Sequence, residues 1–127
     1  MPHSPNILII EDDSLTAWHL TMLVKEWGYQ VAGWANTQPL SLAYLRHRRP
    51  DLVLFNLDPY GRWSNNDLLA AIVFFWKIPV IICAATPPAV EVLEQKSVFY
   101  LSKPFWMHQL RETVDIALGE ECRSRSS

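Results

Sequence analysis

Short, mainly apolar runs alternate with amphipathic stretches along this chain. Five such runs, each bounded by polar or turn-forming residues, predict β-strands at residues 7–10, 30–34, 52–55, 79–83 and 98–101. A short strand that is apolar on both faces is typical of a parallel sheet covered on both sides. The alternation with helices therefore predicts an α/β fold, with a five-stranded parallel sheet and helices on both faces.

The first and last helices show the clearest inward stripes. Ser14 is placed to cap the first helix and Gly28 to end it. The inward stripe of this helix is formed by Leu20, Leu23, Val24 and Trp27. Pro104 is expected to begin the last helix. The inward stripe of the last helix is formed by Leu110, Val114 and Ala117. The pattern predicts one domain over residues 1–119 and a polar, flexible tail over 120–127.

The three middle helices are marked mainly by their starts. Pro39 fits the first turn of the second helix, which is expected to end near Arg48. Ser64 is expected to cap the third helix, with Asp67 at the capping-box position. A fourth helix after residues 87–88 must be short, because the fifth strand follows closely.

Composition narrows the class of protein. The chain has 127 residues, of which 50% are hydrophobic and 19% charged, so one packed domain is expected. A net charge of −2 argues against nucleic-acid binding. The longest apolar run, residues 68–76, is far shorter than the roughly twenty residues of a membrane span. With no secretory leader and no paired cysteines expected, the sequence predicts a cytoplasmic protein.

Polar residues follow the predicted strands at the edge where the strand ends should meet. These residues lie at 11–13, 56–58, 84–86 and 102–104. In parallel α/β sheets, ligands bind outside the carboxyl ends of the strands. Three adjacent carboxylates there would raise one another's pKa unless a cation relieved the repulsion. Mg²⁺ or Lys103 is expected to supply that cation.

Four segments together resemble the receiver domains of two-component response regulators. They are residues 7–13, 50–56, 79–82 and 100–105, which occur in order and at about the right spacing. The resemblance covers essentially the whole chain to residue 118. It implies a flavodoxin-like, three-layer sandwich.

The resemblance also implies roles for individual residues. Glu11 and Asp12 match the acidic pair of the metal site, with Asp12 as the direct Mg²⁺ ligand, and Asp58 matches the position whose carbonyl completes that site. Lys103 matches the lysine that pairs with the phosphoryl group. Tyr100 matches the aromatic residue whose rotamer reports activation.

Two positions depart from the family pattern, and both concern chemistry. Asn56 occupies the phosphoacceptor position, where an amide cannot form an acyl phosphate. Ala84 stands where the switch serine or threonine is expected, and Thr86 follows two residues later. Any Mg²⁺ site is expected to be weakened, because Asn56 offers a neutral oxygen in place of a carboxylate.

These features predict a stand-alone signalling module without enzymatic activity. It is expected to act by protein–protein contact with a histidine kinase, a phosphotransfer protein or another response regulator, or as a homodimer. The alternative is a phosphorylatable, Mg²⁺-dependent response regulator carrying asparagine in place of the acceptor aspartate. A small-molecule-binding, flavodoxin-like module has less support, since no glycine-rich phosphate loop follows the first strand.

Surplus apolar residues favour the contact hypothesis. Trp18 and Met22 lie off the inward stripe of the first helix, and Trp106 lies off that of the last. Residues 68–76 are apolar all round, which one helix face cannot bury completely. Exposed apolar patches mark protein interfaces, although neighbouring elements could also cover these residues.

Overall fold

The computed structural model describes residues 4–57 and 65–126, with side chains described for residues 4–57 and 66–119. The strands are β1 (Asn6–Ile10), β2 (Gln30–Ala35), β3 (Leu52–Phe55), β4 (Val80–Ala84) and β5 (Val98–Ser102). The helices are α1 (Ser14–Glu26), α2 (Gln38–Arg48), α3 (Asn65–Ala70), α4 (Val90–Leu93) and α5 (Met107–Ser126). A π-helical segment, Ala71–Trp76, continues α3. No helix within the described ranges is long and apolar enough to cross a membrane.

The five strands form one parallel sheet in the order β2-β1-β3-β4-β5. The central strands are apolar on both faces because helices cover both sides, and this confirms the predicted architecture. Pairing across the centre aligns Ile9 with Leu54 and Leu54 with Ile81. The carboxyl ends of the strands therefore meet at one edge of the sheet.

The core has one layer on each face of the sheet. On one face, α1 and α5 pack against the sheet through side chains that include Leu20, Val24, Leu110 and Val114. On the other face, α2, α3, the π-helical segment and α4 supply side chains that include Leu45, Leu69, Ile72 and Val92. The inward stripe predicted for α5 lies in the first of these layers. The stripe predicted for α1 is only partly confirmed, because Leu23 is partly buried and lies outside this layer.

Two glycines have structural roles. One lets the chain turn after α1, and the other lets α2 approach β2. Gly28 has a φ of 96°, so it ends α1 as predicted. A Cβ atom on Gly33 would lie 2.3 Å from a ring carbon of Tyr44. Only glycine therefore leaves room for the Tyr44 ring to pack on β2.

Two predicted helix starts are wrong by one to three residues. Asp13, not Ser14, caps α1, because its Oδ2 accepts a hydrogen bond from the Thr16 backbone N–H at 2.8 Å. The last helix begins at Met107 and not at Pro104, whose peptide bond with the preceding lysine is cis. The first hydrogen bonds of helical type there run back to the Trp106 carbonyl.

The remaining predictions on helix bounds have mixed outcomes. The second helix contains Pro39 in its first turn and ends at Arg48, as predicted, and α4 is short. Ser64, the expected cap of α3, lies outside the described residues. The backbone of α5 continues to Ser126 because one glycine costs a helix only about 1 kcal/mol and no proline follows. The division into a domain of 1–119 and a flexible tail of 120–127 stays a prediction.

The π-helical segment changes which aromatic residues face solvent. In a regular helix, residues three and seven positions apart lie on the same face. Phe75 would therefore lie on the buried face together with Ile72 and Leu68. The wider turn instead leaves Phe75 75% exposed and Trp76 partly buried. Phe74 is also exposed, so the surplus of apolar residues in this stretch reaches the surface.

Candidate functional site at the strand ends

Four residues predicted as site residues lie at the carboxyl edge of the sheet. Glu11 follows β1, Asn56 follows β3, Ala84 ends β4 and Lys103 follows β5. Backbone hydrogen bonds between neighbouring strands fix these ends: the Asn56 N–H donates to the carbonyl of Ile10, and the Lys103 N–H donates to that of Ala84. We refer to Glu11, Asn56, Ala84 and Lys103 as the strand-end pocket.

A buried hydrogen bond joins the two polar residues at the centre of the pocket. Asn56 Nδ2 donates to Glu11 Oε2. The other carboxylate oxygen of Glu11 accepts from the Asp13 backbone N–H at 3.0 Å. Only 4% of Glu11 and 7% of Asn56 is exposed, so both side chains are held where water has little access. The pair is therefore a fixed part of the site and not a solvated surface contact.

The second polar atom of Asn56 has no partner among the described residues. Ionised Glu11 can only accept hydrogen bonds, so in that state the amide nitrogen faces Glu11 and the oxygen points away. Asn56 Oδ1 is buried and receives no hydrogen bond from any residue that the structure describes. A buried acceptor without a donor costs about 1–3 kcal/mol, which makes this atom a candidate contact for another molecule.

Burial raises the pKa of Glu11 to about 7. The hydrogen bond from the Asp13 backbone lowers this pKa, the neighbouring Asp12 side chain raises it, and Asn56 and the charge of Lys103 lower it. Desolvation is the largest of these effects, because a carboxylate loses more hydration energy on burial than its neighbours restore. Glu11 therefore titrates near neutral pH.

The other two acidic residues of the predicted cluster are exposed. Asp13 caps α1 and also accepts from the Thr16 hydroxyl at 2.6 Å, and these hydrogen bonds lower its pKa. Asp12 is exposed and lies beside Glu11. The three adjacent carboxylates therefore do not share one cleft, because the helix start draws Asp13 outward as its cap. Asp58, the third predicted metal position, lies outside the described residues.

The described residues include two of the three positions predicted for a metal site, Glu11 and Asp12. They contain no group of three or more histidine, cysteine, aspartate or glutamate side chains that could hold a metal ion. Both carboxylate oxygens of Glu11 already accept hydrogen bonds. Of the acidic pair, Glu11 is buried and Asp12 is exposed to solvent.

Ala84 and Tyr100 meet at the end of β4. The Tyr100 hydroxyl donates to the Ala84 carbonyl at 3.1 Å. Ala84 is buried and its side chain carries no hydroxyl, while Thr86 is exposed two residues later. The tyrosine ring is therefore held inward by the backbone of residue 84.

Two further residues complete the surroundings of the pocket. Trp34, at the end of β2, donates its indole N–H to the Glu11 carbonyl at 2.8 Å. Sequence patterns do not predict this contact, since a tryptophan in a strand ordinarily serves as a packing residue. Cys83 is a buried core residue, and desolvation raises its pKa to about 12.

Comparison with known proteins decides the family. The family model for the response regulator receiver domain matches residues 7–115. This chain belongs to that family. The receiver domain matches the transcriptional regulatory protein ZraR of Klebsiella oxytoca at 32% identity over 124 residues, which is 95% of this chain and 28% of ZraR.

Solved structures agree with this assignment. The solution structure of the Erythrobacter litoralis PhyR receiver domain is similar to this one, with a TM-score of 0.74 and 30% identity over 91% of this chain and 90% of that one. The Bartonella quintana anti-anti-sigma factor PhyR gives a TM-score of 0.77 and 25% identity, covering 98% of this chain and 51% of that one. This receiver domain thus spans about half of the Bartonella protein and less than a third of ZraR.

Proposed function

We propose that this receiver domain signals through protein–protein contact and takes up no phosphoryl group at residue 56. The proposal rests on the placement of Asn56 at the end of β3, beside Glu11 and Lys103, where the family resemblance expects the acceptor aspartate. An aspartate carboxylate attacks a phosphoryl donor through an oxygen and becomes an acyl phosphate. An amide is a poor nucleophile and cannot form that product.

The end of β4 supports the same proposal. The resemblance expects a switch hydroxyl at residue 84 that would bond the phosphoryl group, and Ala84 carries none. Tyr100, whose rotamer would report activation, already donates its hydroxyl to the Ala84 carbonyl. The inward position of Tyr100 therefore needs no phosphoryl group.

Weak Mg²⁺ binding at most is part of this proposal. Asp12 would be the direct anionic ligand, with the neutral Asn56 oxygen and the backbone of Asp58 as further ligands. Mg²⁺ gives up its water reluctantly and binds tightly only where several anionic oxygens are preorganised. With Glu11 engaged by Asn56 and by the Asp13 backbone, the pocket offers fewer free carboxylate oxygens than the family pattern implies.

Exposed apolar side chains supply the contact surfaces. On α1, Leu15, Trp18 and Met22 share the face opposite the core, and 61% of Trp18 is exposed. We call these three residues the α1 face. Trp106 is 72% exposed before α5, and Phe75 is exposed on the opposite side of the sheet. Large exposed apolar patches on small soluble domains mark interaction sites.

The proposed partners are a histidine kinase, a phosphotransfer protein or another response regulator, or a second copy of the chain. The Bartonella quintana relative PhyR is an anti-anti-sigma factor. The receiver domain proposed here would work in the same general way, by binding and not by catalysis.

Association measurements with matched variants test the contact function. Sedimentation at several concentrations tests the homodimer, and capture by cognate kinases, phosphotransfer proteins and regulators tests the other partners. Trp18→Ser and Phe75→Ser each remove one exposed aromatic residue, on opposite faces of the sheet. We expect Trp18→Ser, on the α1 face, to weaken association and Phe75→Ser to leave it intact.

The effect of a phosphodonor decides whether contact is constitutive. Association should be the same with and without a small phosphodonor and Mg²⁺. A protein that is monomeric at every concentration and binds no signalling partner would contradict the proposal. Binding that appears only after addition of the phosphodonor would contradict it as well.

A further inference from the structure

A cavity of about 540 Å³ opens between α1 and the start of α5, beside the strand-end pocket. Its walls are largely apolar and include Leu20, Phe105 and Met107. Asn56 and Lys103 also line it. Small-molecule sites commonly occupy about 300–1,000 Å³ and combine apolar walls with a few convergent polar groups. The size and the lining of this cavity have that character.

The buried acceptor of Asn56 requires a hydrogen-bond donor from outside the described residues. Asn56 Oδ1 is turned away from Glu11, is buried, and has no partner in the part of the chain that the structure describes. The residue lines the cavity. This atom has almost no accessible surface, so a hydroxyl or N–H group in the cavity would supply the missing hydrogen bond once the Asn56 side chain moves slightly towards the cavity.

Lys103 favours a negatively charged ligand in the cavity. Its side chain is exposed and lines the same cavity, and its charge acts on Glu11 across the pocket. The ammonium group has three donors and no acceptor, so it pairs best with a carboxylate or a similar anion. A ligand that satisfies both residues therefore carries an acid group and a donor close together.

We propose that this cavity binds a small amphipathic hydroxy acid. Its hydroxyl donates to Asn56 Oδ1, its carboxylate pairs with Lys103, and its apolar body packs against Leu20, Phe105 and Met107. The site goes beyond the contact function proposed above and does not depend on it.

A bare phosphate ion fits the cavity less well than such a ligand. At neutral pH phosphate is strongly anionic and presents mainly acceptors, whereas Glu11 and Asn56 Oδ1 are themselves acceptors at the pocket. Phosphate has no apolar part that could cover the cavity walls, so the burial of apolar surface contributes nothing to its affinity. The hydroxyl and the apolar body of the ligand are thus expected to matter as much as its charge.

Titration of the isotope-labelled protein with 3-phenyllactate tests this site by NMR. The measurements are made at pH 7.5 in buffer containing EDTA, so that binding cannot depend on a metal ion. We expect a dissociation constant on the order of 1 mM, as is usual for a fragment-sized ligand. The shifts should include the side-chain amide of Asn56 and the backbone amides of Phe105 and Met107. 3-Phenylpropanoate, which lacks only the hydroxyl, should bind at least fivefold more weakly.

Two variants and one control keep the test decisive. Lys103→Ala and Met107→Glu should each weaken 3-phenyllactate binding at least tenfold, the first by removing the cation and the second by adding an anion at the cavity. Lys25→Ala removes a cation on α1 outside this cavity and should bind as the original chain does. Dispersed amide spectra confirm that each variant is folded.

Several results would overturn the proposal. One is the absence of shifts up to 20-fold above the expected dissociation constant. Another is equal affinity for the two acids, or retention of binding in both Lys103→Ala and Met107→Glu. Inorganic phosphate binding as tightly as 3-phenyllactate would show an anion site without an apolar component. Phosphoryl labelling of residue 56 would refute the contact function but would leave these outcomes unchanged.

Discussion

The strand-end pocket and the α1 face reverse the usual placement of polar and apolar residues. In the pocket, Glu11 and Asn56 are almost completely buried although both are polar. On the α1 face, Leu15 and Trp18 are mostly exposed although both are large and apolar. Each arrangement carries a cost, since buried polar groups need partners and exposed apolar groups remain in contact with water.

The difference between the two regions indicates different roles. The pocket contains Glu11 and Lys103, which the family resemblance matches to an acidic residue and the lysine of a receiver site, and it has an amide at residue 56, where we propose that the carboxylate acceptor is lacking. The α1 face has no part in the core, so its apolar residues contribute to function only through contact with another molecule. Substitutions in the pocket should therefore change stability, whereas substitutions on the α1 face should change association.

The largest effect on stability is expected from Asn56→Asp. The new carboxylate would lie beside the buried carboxyl of Glu11, and like charges at that distance raise each other's pKa. We expect the free energy of unfolding at pH 8, without Mg²⁺, to fall by about 2 kcal/mol. Urea unfolding measures this change.

Asn66→Asp is the matched control, because Asn66 is exposed near the start of α3. It should leave stability within about 0.5 kcal/mol of the original value. A stable Asn56→Asp variant in the absence of metal would mean that the pocket is less confined than its burial indicates.

The charge of Glu11 predicts how stability depends on pH. Its pKa is about 7 in the folded protein and 4.5 as a free side chain, so the folded state binds the proton more tightly. The contribution of Glu11 is therefore full below pH 4.5 and is lost as the pH rises through 7. After allowance for solvent screening, we expect a loss of about 1–2 kcal/mol between pH 5 and pH 8.

Glu11→Gln removes this titration while keeping a hydrogen-bonding side chain. The variant should show a flatter pH profile and should be more stable than the original chain at pH 8. Glu26→Gln, on the exposed end of α1, is the control and should leave the profile unchanged. Equal slopes for the Glu11 and Glu26 variants would show that another group titrates in this range.

Tyr100→Phe should have a smaller effect. It removes the hydrogen bond from the tyrosine hydroxyl to the Ala84 carbonyl. That carbonyl still accepts from the Lys103 N–H, so we expect a loss of about 0.5–1 kcal/mol in thermal or urea unfolding. A loss several times larger would show that Tyr100 stabilises the end of β4 through more than this one hydrogen bond.

The smallest effect on stability is expected on the α1 face. Trp18→Ser should change the free energy of unfolding by less than about 0.5 kcal/mol, because its side chain is mostly in solvent. A marked destabilisation in urea would show that Trp18 packs within its own domain, and the contrast between the two regions would then fail.

The sequence predicted the fold and the edge of the sheet at which the candidate site lies, because both follow from regular patterns. Apolar strands such as β1 and β3 and the inward stripe of α5 repeat at the spacing of their element, so the parallel sheet and the strand ends could be inferred. The π-helical segment could not be inferred. Its residues are apolar throughout, and no periodicity distinguishes a wide turn from a regular one.

Contacts between side chains that are far apart along the chain could not be predicted from the sequence either. The hydrogen bond of Asn56 to Glu11 depends on side-chain rotamers, and the contact of Trp34 with the Glu11 carbonyl depends on how β2 sits beside β1. The capping of α1 by Asp13 was missed because Ser14 is an equally good capping residue by type. Type and spacing identify candidate residues, but tertiary geometry decides which of them meet.

The central claim is that residue 56 takes up no phosphoryl group, and intact-mass measurement tests it most directly. The protein is incubated with a small phosphodonor and Mg²⁺, beside Asn56→Asp, which should regain some labelling because Glu11 and Lys103 remain. The original chain should gain no phosphoryl mass under conditions that label the variant. A stable phosphoryl mass gain mapped to Asn56 would contradict the account.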